Sequence, residues 1–149
     1  MNKVKVIIHC SASAFGNAAE ITRWHLQRKF NTIGYHFVVL NGWTGAKKYH
    51  SEFDGRIETG RPLDDDKDLE PDEIGAHTLG QNKAVGICLI GNSGSFTLAQ
   101  IDSLQRLLLM LKRQFYEIEV SQHSDYEPAK PYCAGLSIEQ IRYFNKLVT

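Results

Sequence analysis

The amino-acid sequence predicts one α/β (α+β) domain over residues 1–149, built on a central mixed β-sheet flanked by helices. Short apolar runs rich in β-branched residues, bounded by small and polar ones, have the length and composition of buried strands. Between them lie longer stretches whose apolar residues recur at helical spacing behind Ser, Thr or Asn caps. A hairpin signal interrupts this alternation, so the sheet should be mixed rather than wholly parallel.

The first expected strand is residues 4–10, followed by a small polar loop over 11–16. Asn17 can cap a helix over about 18–29, with Glu20 as its third residue and Ile21, Trp24 and Leu26 among its apolar positions. Gly34 breaks that pattern, and the aromatic and β-branched run 35–40 reads as a second strand. Residues 41–54 carry scattered Gly, Lys and aromatic residues and lead into Asp54-Gly55, a tight-turn signal that places a hairpin before Arg56-Ile57-Glu58. Residues 84–90 form another buried strand. Thr97 and Gln100 make a capping box for a helix to about Tyr116, with Ile101, Leu104, Leu107, Leu108 and Leu111 at helical spacing. Ser137 and Gln140 open a last helix in the same way, with Ile141, Phe144 and Leu147 or Val148 facing inward.

At 149 residues, 42% of them hydrophobic, the chain can bury a core without disulfide staples. Seventeen Lys and Arg balance seventeen Asp and Glu, and this neutrality offers no broad attraction to nucleic acid or anionic lipid. Neither a nucleic-acid partner nor membrane insertion is expected. The stretch 64–73 holds seven acids and one base but lacks the spaced ligands and central glycine of an EF-hand, so it reads as a solvated loop. Cys10, Cys88 and Cys133 are odd in number and far apart, which points to reduced thiols, with Cys10 and Cys88 as small core residues. Met1-Asn2-Lys3 leads straight into a strand without a signal-peptide pattern, and no apolar run reaches membrane-spanning length, so synthesis in the cytoplasm is expected.

Three residues from opposite ends of the chain could share a metal ion. His9 closes the first strand, His123 follows the apolar stretch 118–121, and Cys133 comes ten residues later beyond a Pro-rich connection that can fold back. Two imidazoles and a thiolate suit zinc, and three protein ligands leave a fourth position for water, the pattern of hydrolytic rather than structural sites. Strand neighbours point to opposite faces, so His9 is assigned to the metal and Cys10 to the core.

Five motifs then fall in order. They are His9-Cys10-Ser11-Ala12, Gly34-Tyr35-His36-Phe37, Gly75-Ala76-His77-Thr78-Leu79-Gly80-Gln81-Asn82, the run 85–92 (Val-Gly-Ile-Cys-Leu-Ile-Gly-Asn), and His123 with Lys130 and Cys133. Together they resemble the zinc-dependent N-acetylmuramoyl-L-alanine amidases of type 2, which share a fold with peptidoglycan recognition proteins, and among them the amidase-type lysozymes of tailed phages. The likeness spans almost the whole chain. It implies a zinc ion held by His9, His123 and Cys133 in a groove at the sheet's edge, with Tyr35 and Lys130 as catalytic helpers; His77 matches a position near the substrate groove and is either a substrate contact or a surface-loop residue. The implied reaction is hydrolysis of the amide between N-acetylmuramic acid and the L-alanine of the stem peptide. Lys130, three residues before a ligand, is placed to stabilise the oxyanion. Tyr35 can bond the attacking water or move a proton, and the division of labour between the two stays open.

With neither a signal-peptide pattern nor a wall-binding module, a phage or prophage endolysin is expected, a monomer made in the host bacterial cytoplasm, with peptidoglycan as its partner and access to the wall only after the membrane is permeabilised. Arg61 could meet a stem-peptide carboxylate or be a surface residue, while His25, His36 and His50 are given no role. Residues 41–54 and 123–133 are longer than in the most compact phage amidases, and Ala134-Gly135 stands where Pro-Gly is commoner. Two other readings remain: a recognition protein that binds peptidoglycan without cutting it, and inhibition of a phage RNA polymerase as a second role. Presence of all three ligands with Tyr35 and Lys130 favours catalysis over the first. The short segment before His9 weighs against the second.

Overall fold

The computed structural model describes residues 3–45 and 47–149. The elements run β1 (Val4–Cys10), α1 (Ala18–Gln27), β2 (Phe37–Gly45), β3 (Lys48–Thr59), β4 (Val85–Leu89), α2 (Leu98–Phe115), β5 (Ile118–Gln122) and α3 (Ile138–Leu147), with short 3₁₀ turns at Pro71–Glu73 and His123–Asp125. The strands form one mixed sheet in the order β3-β2-β4-β1-β5. Among the described strands, only β3, paired with β2, is antiparallel. None of the described helices is long and apolar enough to cross a membrane.

The period of two along each strand divides the core between two faces. Val6, Ile8, Val39, Ile87 and Leu89 pack with Leu104, Leu108 and Leu111 of α2 and Phe144 of α3. Val38, Leu40, Cys88 and Ile90 pack on the other face with Ile21 and Trp24 of α1. With helices on both faces, β1 and β4 need apolar residues at nearly every position, which is why they read as continuous runs. The helix starts follow from side-chain chemistry: Asn17 Oδ1 accepts from Glu20 N at 2.8 Å, and the Thr97/Gln100 and Ser137/Gln140 pairs each satisfy two backbone donors reciprocally.

Two expectations are corrected. The second strand begins at Phe37 rather than Tyr35 and continues past Leu40 to Gly45, so Tyr35 and His36 precede it. Asp54-Gly55 is not the hairpin turn: the chain reverses between Gly45 and Lys48, and Asp54-Gly55 lies inside β3. Pairing steps from Val39↔Ile57 to Asn41↔Asp54, so β3 carries one extra residue there, a bulge. Gly55 has φ +82°, and a Cβ on it would sit 2.7 Å from the Ala99 carbonyl oxygen, so the glycine admits both the bulge and the close approach of α2. Asp54 completes the junction by accepting from Thr97 Oγ1 at 2.6 Å and the Tyr49 hydroxyl at 2.7 Å. The sequence signal was for a positive φ, which a turn and a bulge share.

The acidic run is largely exposed, as expected, except at Glu73, which is only 2% exposed. Its carboxylate accepts the backbone N–H groups of Asp64 and Glu70 and so closes the loop on itself. At the other end of the design, His9 lies at the carboxyl end of β1 and His123 directly follows the adjacent parallel β5. Carboxyl ends of parallel strands are where such sheets place ligands.

Candidate active site

His9 is fully buried, His123 is buried and Cys133 is half-buried, and one potential ligand atom from each lies within 4.8 Å of the others. The chain after β5 is folded to achieve this. Tyr126 N and Glu127 N donate to His123 O, Lys130 N donates to Glu127 O, and Cys133 N donates to Lys130 O. Ser124 N then donates to Cys133 O at 2.6 Å, pinning the returning segment beside the departing one. Cys133 Sγ accepts the backbone N–H of Cys10 at 3.3 Å, while the neighbouring Cys10 thiol and burial hold its own thiol pKa above the ordinary value. Cys10 itself belongs to the core face of β1, as assigned from the strand period.

His9 Nδ1 and His123 Nε2 are buried without a hydrogen-bond partner among the described residues. Glu127 Oε1 lies 3.0 Å from His123 Nε2 without hydrogen-bond alignment. Burial, reinforced by neighbouring His77 and His123, holds the His9 pKa well below its ordinary value, so the ring is neutral and offers a lone pair. Buried polar atoms are nearly always paired, and a ligand that accepts two imidazole lone pairs and a thiolate would resolve both orphans. These three residues could hold a metal ion.

Tyr35 sits just before β2 with its ring tilted over His9 at a centroid distance of 4.9 Å. Burial raises its pKa well above the ordinary phenol value, so it carries its proton at neutral pH. Lys130 is exposed on the rim of the same groove, a space of about 610 Å³ that Tyr35, Trp24, Leu79 and Asn82 also line. His77 is in the groove wall, but both ring nitrogens meet protein atoms: Nδ1 is 2.9 Å from His9 Nε2 and 2.9 Å from Thr78 Oγ1, and Nε2 is 2.9 Å from Ala84 O. Burial holds this ring neutral as well, with a pKa of about 4.

Several residues gain roles that the sequence did not reveal. Thr78 is buried against His9 Nε2 at 3.2 Å, and Glu127 accepts Leu79 N at 2.7 Å across the groove. Thr78 lies within the 75–82 motif, yet a threonine in a loop carries no chemical signal of its own. His25 accepts Gly34 N at 2.9 Å, and His36 accepts Gly86 N at 3.0 Å, so the two flank and hold the segment bearing Tyr35. Arg61 lies outside this groove and fastens two loops, donating to Ile33 O at 3.1 Å and Ile74 O at 2.7 Å.

A mixed five-stranded sheet between helices, with a His-His-Cys cluster at its carboxyl edge, defines a class that the comparisons specify. Residues 2–135 match the N-acetylmuramoyl-L-alanine amidase family, and the chain belongs to it. It is 29% identical over 156 residues to an endolysin of Klebsiella phage KP32, covering 97% of this chain and 89% of that protein. Among solved structures, an endolysin N-acetylmuramoyl-L-alanine amidase of Clostridium intestinale superposes with a TM-score of 0.72 at 25% identity, covering 96% of this chain and 83% of that one. A Drosophila peptidoglycan recognition protein, PGRP-LB, shares the fold with a TM-score of 0.64 at 24% identity, covering 91% of this chain and 77% of that one. The fold is that of the type 2 amidases and recognition proteins, and the enzyme class is N-acetylmuramoyl-L-alanine amidase.

Proposed function

We propose that this chain is a single-domain, monomeric, zinc-dependent amidase that cuts the bond between N-acetylmuramic acid and L-alanine in peptidoglycan and serves as a phage or prophage endolysin. The observation that supports the reading best is the His9, His123, Cys133 cluster, with two buried imidazole nitrogens unpartnered among the described residues and with His123 and Cys133 lining a solvent-open groove. These three residues would hold the zinc, and their number leaves a position for water. Bound there, zinc supplies Lewis acidity toward the amide carbonyl and acidifies water enough to give a nucleophile near neutral pH.

The chain's own groups serve the rest of the reaction. The Tyr35 phenol, protonated and tilted against the His9 ring, can donate to the attacking water or the scissile amide and relay a proton. Lys130 brings a cation to the rim, where negative charge on the carbonyl oxygen needs stabilising. Leu79 and Trp24 offer apolar surface to a stem peptide, with Leu79 84% exposed. Binding without cutting would use the same groove but would have no need of this donor set.

Mass analysis of muropeptides after digestion tests the proposal. Stem peptides with a free L-alanine amino group and intact glycan strands are expected, and a chelator should abolish them; new reducing sugar ends would refute the amidase reading. Tyr35→Phe and Lys130→Ala should retain about one zinc per chain while losing roughly 100-fold in rate, whereas His9→Ala should lose the metal. Expression inside bacteria should be tolerated until the inner membrane is permeabilised, and lysis with that membrane intact would contradict the endolysin role.

A further inference from the structure

We infer that His77, seconded by Thr78, is a positioning residue that sets the tautomer and ring rotation of His9 so that His9 Nδ1 is presented bare to the metal. This rests on the zinc reading above and differs from the substrate contact expected of His77.

The hydrogen-bond chain admits one assignment. His77 Nε2 faces Ala84 O at 2.9 Å, and a carbonyl oxygen can only accept, so Nε2 carries the ring's proton. In a neutral imidazole the other nitrogen, Nδ1, is then an acceptor. It lies 2.9 Å from His9 Nε2, which must therefore donate, and a neutral His9 protonated at Nε2 has an unprotonated Nδ1. That is the His9 atom found buried and unpartnered within the cluster. Thr78 Oγ1, 3.2 Å from His9 Nε2 and 2.9 Å from His77 Nδ1, can accept from the first or donate to the second without disturbing the assignment.

The ring of His77 is also held against rotation. A Cβ on Gly75 would lie 2.5 Å from His77 Cδ2, and one on Gly86 would lie 2.7 Å from it, so the imidazole edge fills space that only glycines leave. Asn82 Oδ1 accepts both His77 N at 2.9 Å and Thr78 N at 3.0 Å, fastening the backbone beneath. With Nε2 on Ala84, Nδ1 on His9 and Thr78, and Cδ2 against two glycines, no ring nitrogen remains for substrate. The spacing of Gly75, His77, Thr78, Asn82, Ala84 and Gly86 is thus the spacing of one device. Partners that orient a metal-binding histidine in this way typically contribute 10- to 100-fold to metal affinity.

The test measures zinc affinity by chelator competition, and the His9 tautomer by long-range ¹H–¹⁵N NMR on metal-free protein. Wild-type His9 should be protonated at Nε2. His77→Leu should weaken zinc binding by roughly 10- to 100-fold and mix the His9 tautomers. His77→Asn, which keeps an acceptor near the Nδ1 position, should recover most of the affinity. Unchanged zinc affinity in His77→Leu, a raised KM with zinc retained, equal losses in both variants, or wild-type His9 protonated at Nδ1 would each overturn the inference. If His77→Leu fails to fold, the wild-type tautomer and His77→Asn still decide. A wild type that binds no zinc would sink the zinc reading instead, while the metal-free NMR measurement still judges this one.

Discussion

His25 and His36 grip the segment that carries Tyr35, and both do so through an Nδ1 that accepts a backbone N–H, a role closed to a protonated ring. Burial is the largest cause lowering each pKa, to about 4 for His25 from an ordinary 6.5. Because the folded values lie below the unfolded ones, the unfolded chain binds more protons within this window. Stability is therefore fully present above about pH 6.5 and falls as pH drops toward the folded value near 4. For His25, only 6% exposed, the loss is on the order of 3 kcal/mol. Urea denaturation of the metal-free protein should show this decline, and His25→Gln should flatten part of it. Equal slopes for the two proteins would remove His25 as a cause.

At the level of elements, the junction between the β3 bulge and the start of α2 holds the edge of the sheet farthest from β5. Gly55→Ala would force a side chain into φ +82° and bring its Cβ to 2.7 Å from Ala99 O. A cost of about 1–3 kcal/mol follows from such strain. Gly45→Ala, whose added Cβ would meet nothing within 4 Å, should change stability by roughly 0.5 kcal/mol or less. Thermal melts of the two variants check the contrast. Zinc affinity should be unaltered in both, since β4 and β2 stand between this junction and the site. Equal melting temperatures would mean that the bulge relaxes freely.

For the whole molecule, a metal ion would join β1 to the segment following β5, elements separated by most of the chain. A ligand that binds only the folded state stabilises it by mass action, by roughly 4 kcal/mol at a thousandfold excess over Kd. In a chain of 149 residues this corresponds to a rise in Tm on the order of 10 °C. Adding a chelator should remove that increment from the wild type and leave Cys133→Ser unaffected. A wild-type Tm indifferent to chelator would argue that no metal ties these elements together.

The sequence by itself determined the strand and helix alternation, the three helix starts and the burial of β1 and β4, and it marked His9, His123 and Cys133 as candidate ligands. These are local properties: a period, a cap four residues long, or a ligand type at a strand end is legible within a short window. Tertiary structure alone decided that Asp54-Gly55 is a bulge under α2, that Glu73 closes its own acidic loop, and that Arg61 fastens loops away from the groove. It also placed His77 against His9 across 68 residues of sequence. The reason is that a donor, acceptor or small side chain takes its role from the atom it faces. When that atom belongs to a distant element, only the packed chain brings the two together.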